Sequence, residues 1–140
     1  MKETGYIKII QEEGKAPLVE AQLVNDTVWM PKWKIARLFN VFNQKIEMNL
    51  RSIFKSHLLW EKDCSYTYRY TDKDIEKQIV YYNLEVLIFL SYRISSFEAQ
   101  IFRQFVNSAL REHLQKGDTK AEESPKLLWF FQSGKDYWVN

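Results

Sequence analysis

The sequence predicts an α+β fold, composed of an N-terminal β-meander, a pair of short helices followed by a β-hairpin, and a C-terminal helical pair. Two kinds of periodicity support this prediction. Apolar and β-branched residues alternate in short segments before residue 31 and again between residues 65 and 82, as in half-buried strands. Elsewhere apolar residues recur every three or four positions, as on one face of a helix. Glycine, proline, asparagine and aspartate mark the predicted turns.

Length and composition indicate one domain with a tail. A chain of 140 residues can bury a hydrophobic core without disulfides or metal ions. Residues 1–116 carry the periodic segments and are predicted to form the domain, whereas residues 117–140 begin as a polar linker and end in an apolar tail. The single Cys64 cannot form an internal disulfide, which fits a reducing compartment. Because the apolar runs are too short to cross a bilayer, we expect a cytoplasmic protein that does not bind membranes.

The first 30 residues are predicted to form three antiparallel strands. The segments GYIKIIQ and LVEAQLV are rich in apolar and β-branched residues, and Gly14 and Pro17 mark the turn between them. Asn25 and Asp26 mark a second turn, after which TVWM forms a short third strand. We therefore expect a β-meander in which each strand pairs with the next.

Two short helices are predicted between Met30 and Phe54. Pro31 suits the first position of a helix because its ring presets the helical φ angle. Apolar residues then recur at helical spacing on either side of a break at residues 40–42. They are Ile35, Leu38 and Phe39 before the break, and Ile46, Leu50, Ile53 and Phe54 after it.

The spacing across this break is typical of a helix-turn-helix. Two helices that cross closely require a small residue at the crossing, and Ala36 fills that position. Asn40 follows where the turn needs a left-handed backbone, which asparagine tolerates. Ile46 then anchors the first turn of the second helix. Because Phe42 occupies the place of a capping serine or threonine, Asn43 is predicted to cap the second helix instead.

A β-hairpin is predicted after the helix pair. Three tyrosines alternate along its first strand, the residues TDKD form its turn, and KQIVYY pairs back. A hairpin in this position is the wing of a winged helix-turn-helix. The alternating residues are Tyr66, Tyr68 and Tyr70.

Two further helices complete the predicted domain. Asn83 caps a short helix that is apolar nearly all round and is therefore buried. Ser95 and Glu98 match a capping box, which opens a longer helix that ends before Gly117. Ile101, Phe105, Ala109 and Leu110 are predicted to form its inner face.

Positive charge is concentrated on the first helix pair. Residues 30–60 carry six lysines and arginines against the single carboxylate of Glu47, a net charge of +5, whereas the whole chain has a net charge of +2. Cationic side chains release counterions when they contact phosphates, so this segment suits nucleic acid. The predicted phosphate contacts are Lys32, Lys34, Arg37, Arg51, Lys55 and, on the hairpin, Arg69.

The second helix, residues 43–55, carries side chains that suit the edges of bases. Glutamine and asparagine pair with adenine, lysine binds guanine, and an apolar group contacts the thymine methyl. Side chains of these types face away from the apolar stripe of this helix. The predicted base contacts are Asn43, Gln44, Lys45, Met48 and Asn49.

Most of the chain, roughly residues 24–114, resembles the RhuM family of bacterial virulence-associated proteins. The most specific segment is YYNLEVLIFLSYRISSFEAQIFRQF, residues 81–105, and NDTVWMPKWKIARLFNVFNQKIEMNLRSIF and the tyrosine-rich hairpin extend the resemblance. The family usually has glycine where Asn40 stands. The resemblance implies a domain like those of phage antirepressors. It therefore implies a regulator from a bacterial mobile element that binds double-stranded DNA through the helix at residues 43–55.

Two alternatives stand beside this prediction. The chain could keep the winged-helix shape and bind a protein partner through its aromatic surface, and the tyrosines could pair across a half-buried sheet rather than contact phosphates. An enzyme is not expected. His57, Asp63 and Cys64 lie near one another in the sequence, but their spacing fits no metal site, and no phosphate-loop motif is present. We therefore expect no catalytic residues, no cofactor, no metal and no small-molecule substrate.

The apolar tail predicts self-association. A run of large apolar side chains seldom stays exposed on a monomer. Two-fold dimers of helix-turn-helix proteins occupy two half-sites on DNA, so a dimer of this chain would suit DNA binding. We therefore expect a homodimer whose contact includes Leu127, Leu128, Trp129, Phe130 and Phe131.

Overall fold

A computed structural model describes residues 3–117 of the chain. This part is mixed α+β, with five helices and two small antiparallel sheets. The elements in chain order are β1 (Tyr6–Ile10), β2 (Leu18–Gln22), β3 (Trp29–Pro31), α1 (Lys32–Phe39), α2 (Asn43–Lys55), α3 (Glu61–Cys64), β4 (Ser65–Asp72), β5 (Ile75–Asn83), α4 (Leu84–Ser91) and α5 (Phe97–Gly117).

The chain divides into two units between Phe105 and Val106. The first unit contains both sheets, the four helices α1 to α4 and the beginning of α5. Of the second unit the structure describes residues 106–117, which continue α5. The predicted linker and apolar tail, residues 118–140, lie outside the described residues, as does the predicted dimer contact of Leu127, Leu128, Trp129, Phe130 and Phe131.

The two sheets differ from the predicted meander in their third strand. β1 pairs with β2 in antiparallel register, Tyr6 opposite Gln22, but β3 joins the other sheet, whose strand order is β3-β5-β4. The meander prediction is therefore wrong for β3. There the Trp29 ring packs edge-on against Tyr66, with 4.9 Å between centroids, and Met30 is buried. The burial of Met30 favours pairing of β3 with β5. The alternation of residues within a strand does not show which strand is its partner.

The hairpin of β4 and β5 is present as predicted, with its turn inside the TDKD segment. Tyr66 lies opposite Tyr81, and Asp72 lies opposite Ile75. The two residues between the strands, Lys73 and Asp74, have φ angles of 51° and 63°. Left-handed φ at both central residues is what a tight two-residue hairpin requires.

Helices α1 and α2 pack against each other around small and apolar side chains. Ala36 is 4% exposed, and Ile46 is fully buried. Asn40 ends α1 with φ 55° and ψ 51°, the left-handed conformation predicted for the turn. The predicted cap of α2 is wrong. Asn43 is the first helical residue, and Phe42 takes the cap position without a side-chain hydrogen bond.

The C-terminal helices begin at hydrogen-bonded caps. Asn83 Oδ1 accepts a hydrogen bond from the Val86 amide at 3.3 Å, as predicted for α4. At the start of α5, Ser96 Oγ accepts from the Ala99 amide at 3.1 Å, so the capping box predicted one residue earlier is wrong. The side chain of Arg103 donates to the carbonyl oxygens of Ser91 and Ile94, which ties α5 to the end of α4.

The core of the first unit lies among the helices. Phe39 and Phe102 are fully buried and meet edge-on, with 5.6 Å between ring centroids. The inner face of α5 is therefore set by Phe102 and Ile101. The predicted inner face is wrong for Phe105, which is 36% exposed, and for Ala109 and Leu110, which are also exposed. Within residues 3–117, no helix is both long and apolar enough to cross a membrane.

Candidate nucleic-acid interface

One face of α2 carries four exposed side chains in a single stripe. They recur at intervals of four, three and four residues, which places them on one side of a helix. The opposite side holds the buried Ile46, Leu50 and Ile53. Because that apolar side is fixed in the core, the stripe must face solvent. The exposed stripe consists of Gln44, Met48, Arg51 and Lys55.

Arg93 lies against the side of this stripe and comes from a different part of the chain. It follows the end of α4, where its amide donates to the Leu90 carbonyl at 2.9 Å. Its Nε donates to Asn49 Oδ1 at 3.0 Å, and its Nη2 donates to Ser52 Oγ at 2.8 Å. Two hydrogen bonds therefore orient the guanidinium beside α2. Arg93 was not among the predicted contact residues, although the segment at residues 81–105 that contains it carries the resemblance.

The predicted base contacts are all on α2, but their side chains differ in exposure and in hydrogen bonding within the protein. Asn43, Gln44, Lys45 and Met48 are exposed, and Met48 keeps 62% of its surface accessible. Asn49 is half-buried, and besides receiving Arg93 it donates from Nδ2 to the Lys45 carbonyl at 2.8 Å. The amide of Asn49 is therefore occupied within the protein. We use the name α2 surface for Gln44, Lys45, Met48, Arg51, Lys55 and Arg93.

A carboxylate borders the α2 surface on its other side. Glu47 Oε1 lies 3.7 Å from Lys32 Nζ and 3.8 Å from Arg51 Nη2. All three residues are partly or largely solvent-exposed, so these pairs contribute little to stability. They do hold Lys32 at the edge of α2.

A cavity of about 550 Å³ lies beside this edge and is partly lined by Tyr82. Burial raises the pKa of the Tyr82 phenol, and the nearby carboxylates of Glu61 and Glu47 raise it further. The phenol therefore stays protonated and uncharged at neutral pH. The cations at this edge face a neutral hydroxyl and two carboxylates.

Lys34 and Arg37 lie elsewhere. Both approach the face of the Trp33 ring, with Lys34 Nζ 5.7 Å and Arg37 Cζ 5.3 Å from its centroid. Both also line a cavity beside β1, which Arg51 and Lys55 do not reach. The six cations predicted as phosphate contacts are thus divided among different surfaces.

Arg69 is exposed on β4, opposite Gln78 of β5. It lines a shallow depression together with Asp74 and Glu76. The tyrosines of the hairpin make ring contacts within the sheet. Tyr66 stacks on Tyr81 with 5.0 Å between centroids, and the rings of Tyr68 and Tyr70, two residues apart on β4, are 5.8 Å apart.

Cys64 has the properties of a core residue. Its side chain is buried, and this burial raises the pKa of the thiol, with further increases from the carboxylates of Glu85 and Asp63. A protonated thiol is a poor nucleophile and a poor metal ligand. Among residues 3–117, no group of three histidine, cysteine, aspartate or glutamate side chains is close enough to hold a metal ion.

Comparisons of the chain with models of protein families, with curated proteins and with solved structures found no match.

Proposed function

We propose that the chain binds double-stranded DNA through a winged helix-turn-helix in which α2 is the recognition helix. The element order supports this arrangement. A strand, two helices joined by the turn at residues 40–42, and a hairpin follow one another, and β3 pairs with β5 to connect the hairpin to the base of the helices. The resemblance to the RhuM family extends the proposal to a regulator from a bacterial mobile element. The short apolar runs of the sequence add a cytoplasmic location, and its apolar tail adds a homodimer.

The α2 surface is the observation that carries the proposal. It brings together four cations, Lys45, Arg51, Lys55 and Arg93, although the net charge of the chain is only +2. Glu47, the one carboxylate of α2, lies on its flank beside Lys32. A convex, cationic helix face is suited to the major groove, whose walls are lined with phosphates.

The first turn of α2 is a second feature that supports the proposed DNA binding. It contains no acidic residue, and no side chain caps its amides. Free amides at a helix N-terminus favour phosphate groups, because the helix dipole places partial positive charge there. Within this turn Gln44 and Lys45 have the chemistry for adenine and guanine, and one turn later Met48 can contact a thymine methyl.

Loss of phosphate contacts tests this proposal. The variant Lys45→Ala with Arg51→Ala is titrated into labelled duplexes from the genomic DNA around the gene, and fluorescence anisotropy is measured from 50 to 300 mM salt. Each lost contact removes about 0.9 from the slope of log affinity against log salt. We therefore expect the slope to fall by about 2 and the affinity at 0.15 M salt to fall roughly 30-fold.

A variant with the same charge change controls for net charge. Lys15 lies in the loop between β1 and β2, and Arg111 lies in the last part of α5. Lys15→Ala with Arg111→Ala should keep the wild-type salt slope. Equal losses in both double variants would show that binding follows net charge alone, and the assignment of α2 would be wrong.

Protein binding is the second candidate, and exposed apolar side chains favour it. Phe42, in the turn before α2, is 87% exposed. Met48, in the N-terminal half of α2, is 62% exposed. Large apolar groups in such positions are common in protein interfaces. The two functions differ in salt dependence, because an apolar contact does not weaken steeply between 50 and 300 mM salt.

A further inference from the structure

A groove lies between β1 and α1, apart from the α2 surface. Its volume is about 580 Å³. One wall is the run Gly5–Gln11, and the other is formed by side chains of α1 and its C-terminal turn, Lys34, Arg37, Leu38 and Asn40. We call it the β1–α1 groove. Nothing in the proposed DNA-binding function uses it.

The wall formed by β1 is a strand edge. Seven consecutive residues line the groove, whereas a strand that presented one face would contribute only every second residue. Within residues 3–117, β1 pairs only with β2. In an antiparallel pair, alternate residues direct their N–H and C=O groups away from the partner strand. These backbone groups of β1 are therefore directed toward the groove.

The groove has a closed end and an apolar base. At the closed end, the Trp29 amide donates to the Thr4 carbonyl at 2.8 Å, which joins β3 to the chain two residues before β1. Ile7 and Met30, both 6% exposed, line the cavity. Beyond this point the five residues of β1 provide about 17 Å of open edge, enough for four or five residues of an extended chain.

The rim of the groove is positively charged. Lys8 comes from β1, and Lys34 and Arg37 come from α1. None of the three is paired with a carboxylate in the described part of the chain. The one acidic residue that lines the groove, Glu98, accepts a hydrogen bond from Asn40 Nδ2 at 3.5 Å. Three cations against one carboxylate give the groove an excess of positive charge.

We propose that the β1–α1 groove binds an extended acidic peptide of a partner protein, which adds to β1 as a third strand. Its backbone pairs with the open edge of β1, and its side chains alternate between two faces. Glutamate or aspartate side chains on the face toward α1 pair with Lys34 and Arg37, and apolar side chains contact Ile7 and Met30. Strand addition supplies the affinity, and the cations select acidic sequences.

The test uses the full chain and a fluorescein-labelled hexapeptide of alternating glutamate and valine. Fluorescence anisotropy should show saturable binding of this peptide below 1 mM. A peptide with lysine in place of glutamate should bind at least about ten-fold more weakly, because it meets three like charges. A third peptide, N-methylated at alternate residues along one edge, should lose binding because its donors are removed.

Charge reversal locates the site. Lys34→Glu with Arg37→Glu should weaken the acidic peptide roughly ten-fold or more, since two favourable ion pairs become repulsions. The matched control, Lys15→Glu with Arg111→Glu, changes the net charge equally and should bind as the wild type does. Circular dichroism shows whether both variants are folded. If Lys34→Glu with Arg37→Glu is unfolded, Lys34→Gln with Arg37→Gln takes its place. This variant should lower the affinity for the acidic peptide by a smaller factor.

Several results would overturn the proposal. Equal binding of the lysine peptide or of the N-methylated peptide would exclude charge selection or strand addition, respectively. Absence of binding at 1 mM would exclude this class of ligand. If a single-stranded oligothymidylate binds and Lys34→Glu with Arg37→Glu abolishes it, the groove is a nucleic-acid surface. If the wild type scatters light as a dimer and that variant as a monomer, the occupant is a second copy of the chain.

Discussion

The α2 surface and the β1–α1 groove are both basic, yet they differ in shape and in the groups that they expose. The α2 surface is convex, and its contacts come from side chains of one helix and from Arg93, which is held by Asn49 and Ser52. The groove is concave, and one wall is the backbone edge of β1. The first suits a grooved, rigid polyanion, and the second suits a flexible chain that can form backbone hydrogen bonds.

This difference shows that a cluster of charge in the sequence is not one site in the fold. Residues 30–60 have a net charge of +5, but the turn at Asn40 and the packing of α1 direct their cations to separate places. Lys34 and Arg37 line the groove beside β1, whereas Arg51 and Lys55 lie on α2. A substitution can therefore impair one surface without affecting the other, unless it disturbs α1, which contributes to the position of both.

The largest expected effect comes from a change between α1 and α2. Ala36 is 4% exposed where α1 packs on α2, so a larger side chain there would press the two helices apart. Ala36→Leu should lower the free energy of unfolding by about 1–3 kcal/mol through overpacking. Because α1 carries one wall of the groove and packs on α2, binding of DNA and of the acidic peptide should both weaken.

Urea denaturation followed by circular dichroism measures the free energy of unfolding. The matched control is Ala109→Leu, at an exposed position of α5, which should change stability by less than about 0.5 kcal/mol. If Ala36→Leu unfolds at the same urea concentration as the wild type, α1 and α2 do not cross at Ala36. The proposed helix-turn-helix would then have the wrong alignment.

A smaller effect, confined to the groove, is expected at Gly5. Its φ angle is +65°, and an added Cβ would collide with the Gln22 carbonyl oxygen of β2. Gly5→Ala should lower the free energy of unfolding by about 1–2 kcal/mol, because the left-handed conformation is strained in alanine. To relieve the collision β1 must move, so peptide binding should weaken while DNA binding on the α2 surface stays unchanged.

Gly14 supplies the comparison for this variant. It also has a positive φ angle, +77°, but an added Cβ would have no neighbour within 4 Å. Gly14→Ala should therefore show the strain without the collision, and the peptide should bind as it does to the wild type. A loss of DNA binding in Gly5→Ala, measured on folded protein, would show that the two surfaces are not independent.

Much of this fold could be predicted from local sequence patterns. The hairpin, the left-handed turn at Asn40 and the cap at Asn83 are confirmed, because each depends on a few neighbouring residues. The partner of β3 could not be found this way, since it depends on burial of Met30 against elements that follow much later in the chain. The cap of α5 was misplaced by one residue because Ser95 and Ser96 offer the same chemistry. The cap of α2 was misplaced because Phe42, which has no capping group, takes that position.

The candidate surfaces were predictable only in part. The stripe on α2 follows from helical periodicity, so exposed Gln44 and Met48 agree with the sequence analysis. Arg93 was missed because it reaches Asn49 across 44 positions of sequence, a distance that no periodic pattern spans. The groove was missed for a related reason. One of its walls is formed by main-chain groups of β1, and these are the same whatever the residue type.

Arg93 gives the smallest expected effect and the most specific one. Lysine keeps the positive charge but has a single ammonium group in place of a planar fork, so it cannot reproduce both bonds to Asn49 and Ser52. Arg93→Lys should therefore bind DNA about three- to ten-fold more weakly, the equivalent of one lost hydrogen bond. Its salt slope should equal that of the wild type, because the charge is retained. Arg93→Ala should lower the slope by about one unit.

The acidic peptide should bind both Arg93 variants as it binds the wild type, which separates the α2 surface from the groove. Arg111→Lys, on α5 beyond the first unit, controls for the exchange of arginine for lysine itself. If Arg93→Lys binds DNA as the wild type does, the bonds to α2 do not position the guanidinium for DNA. If Arg93→Ala also leaves the salt slope unchanged, Arg93 contacts no phosphate, and its two hydrogen bonds serve only to hold the end of α4 against α2.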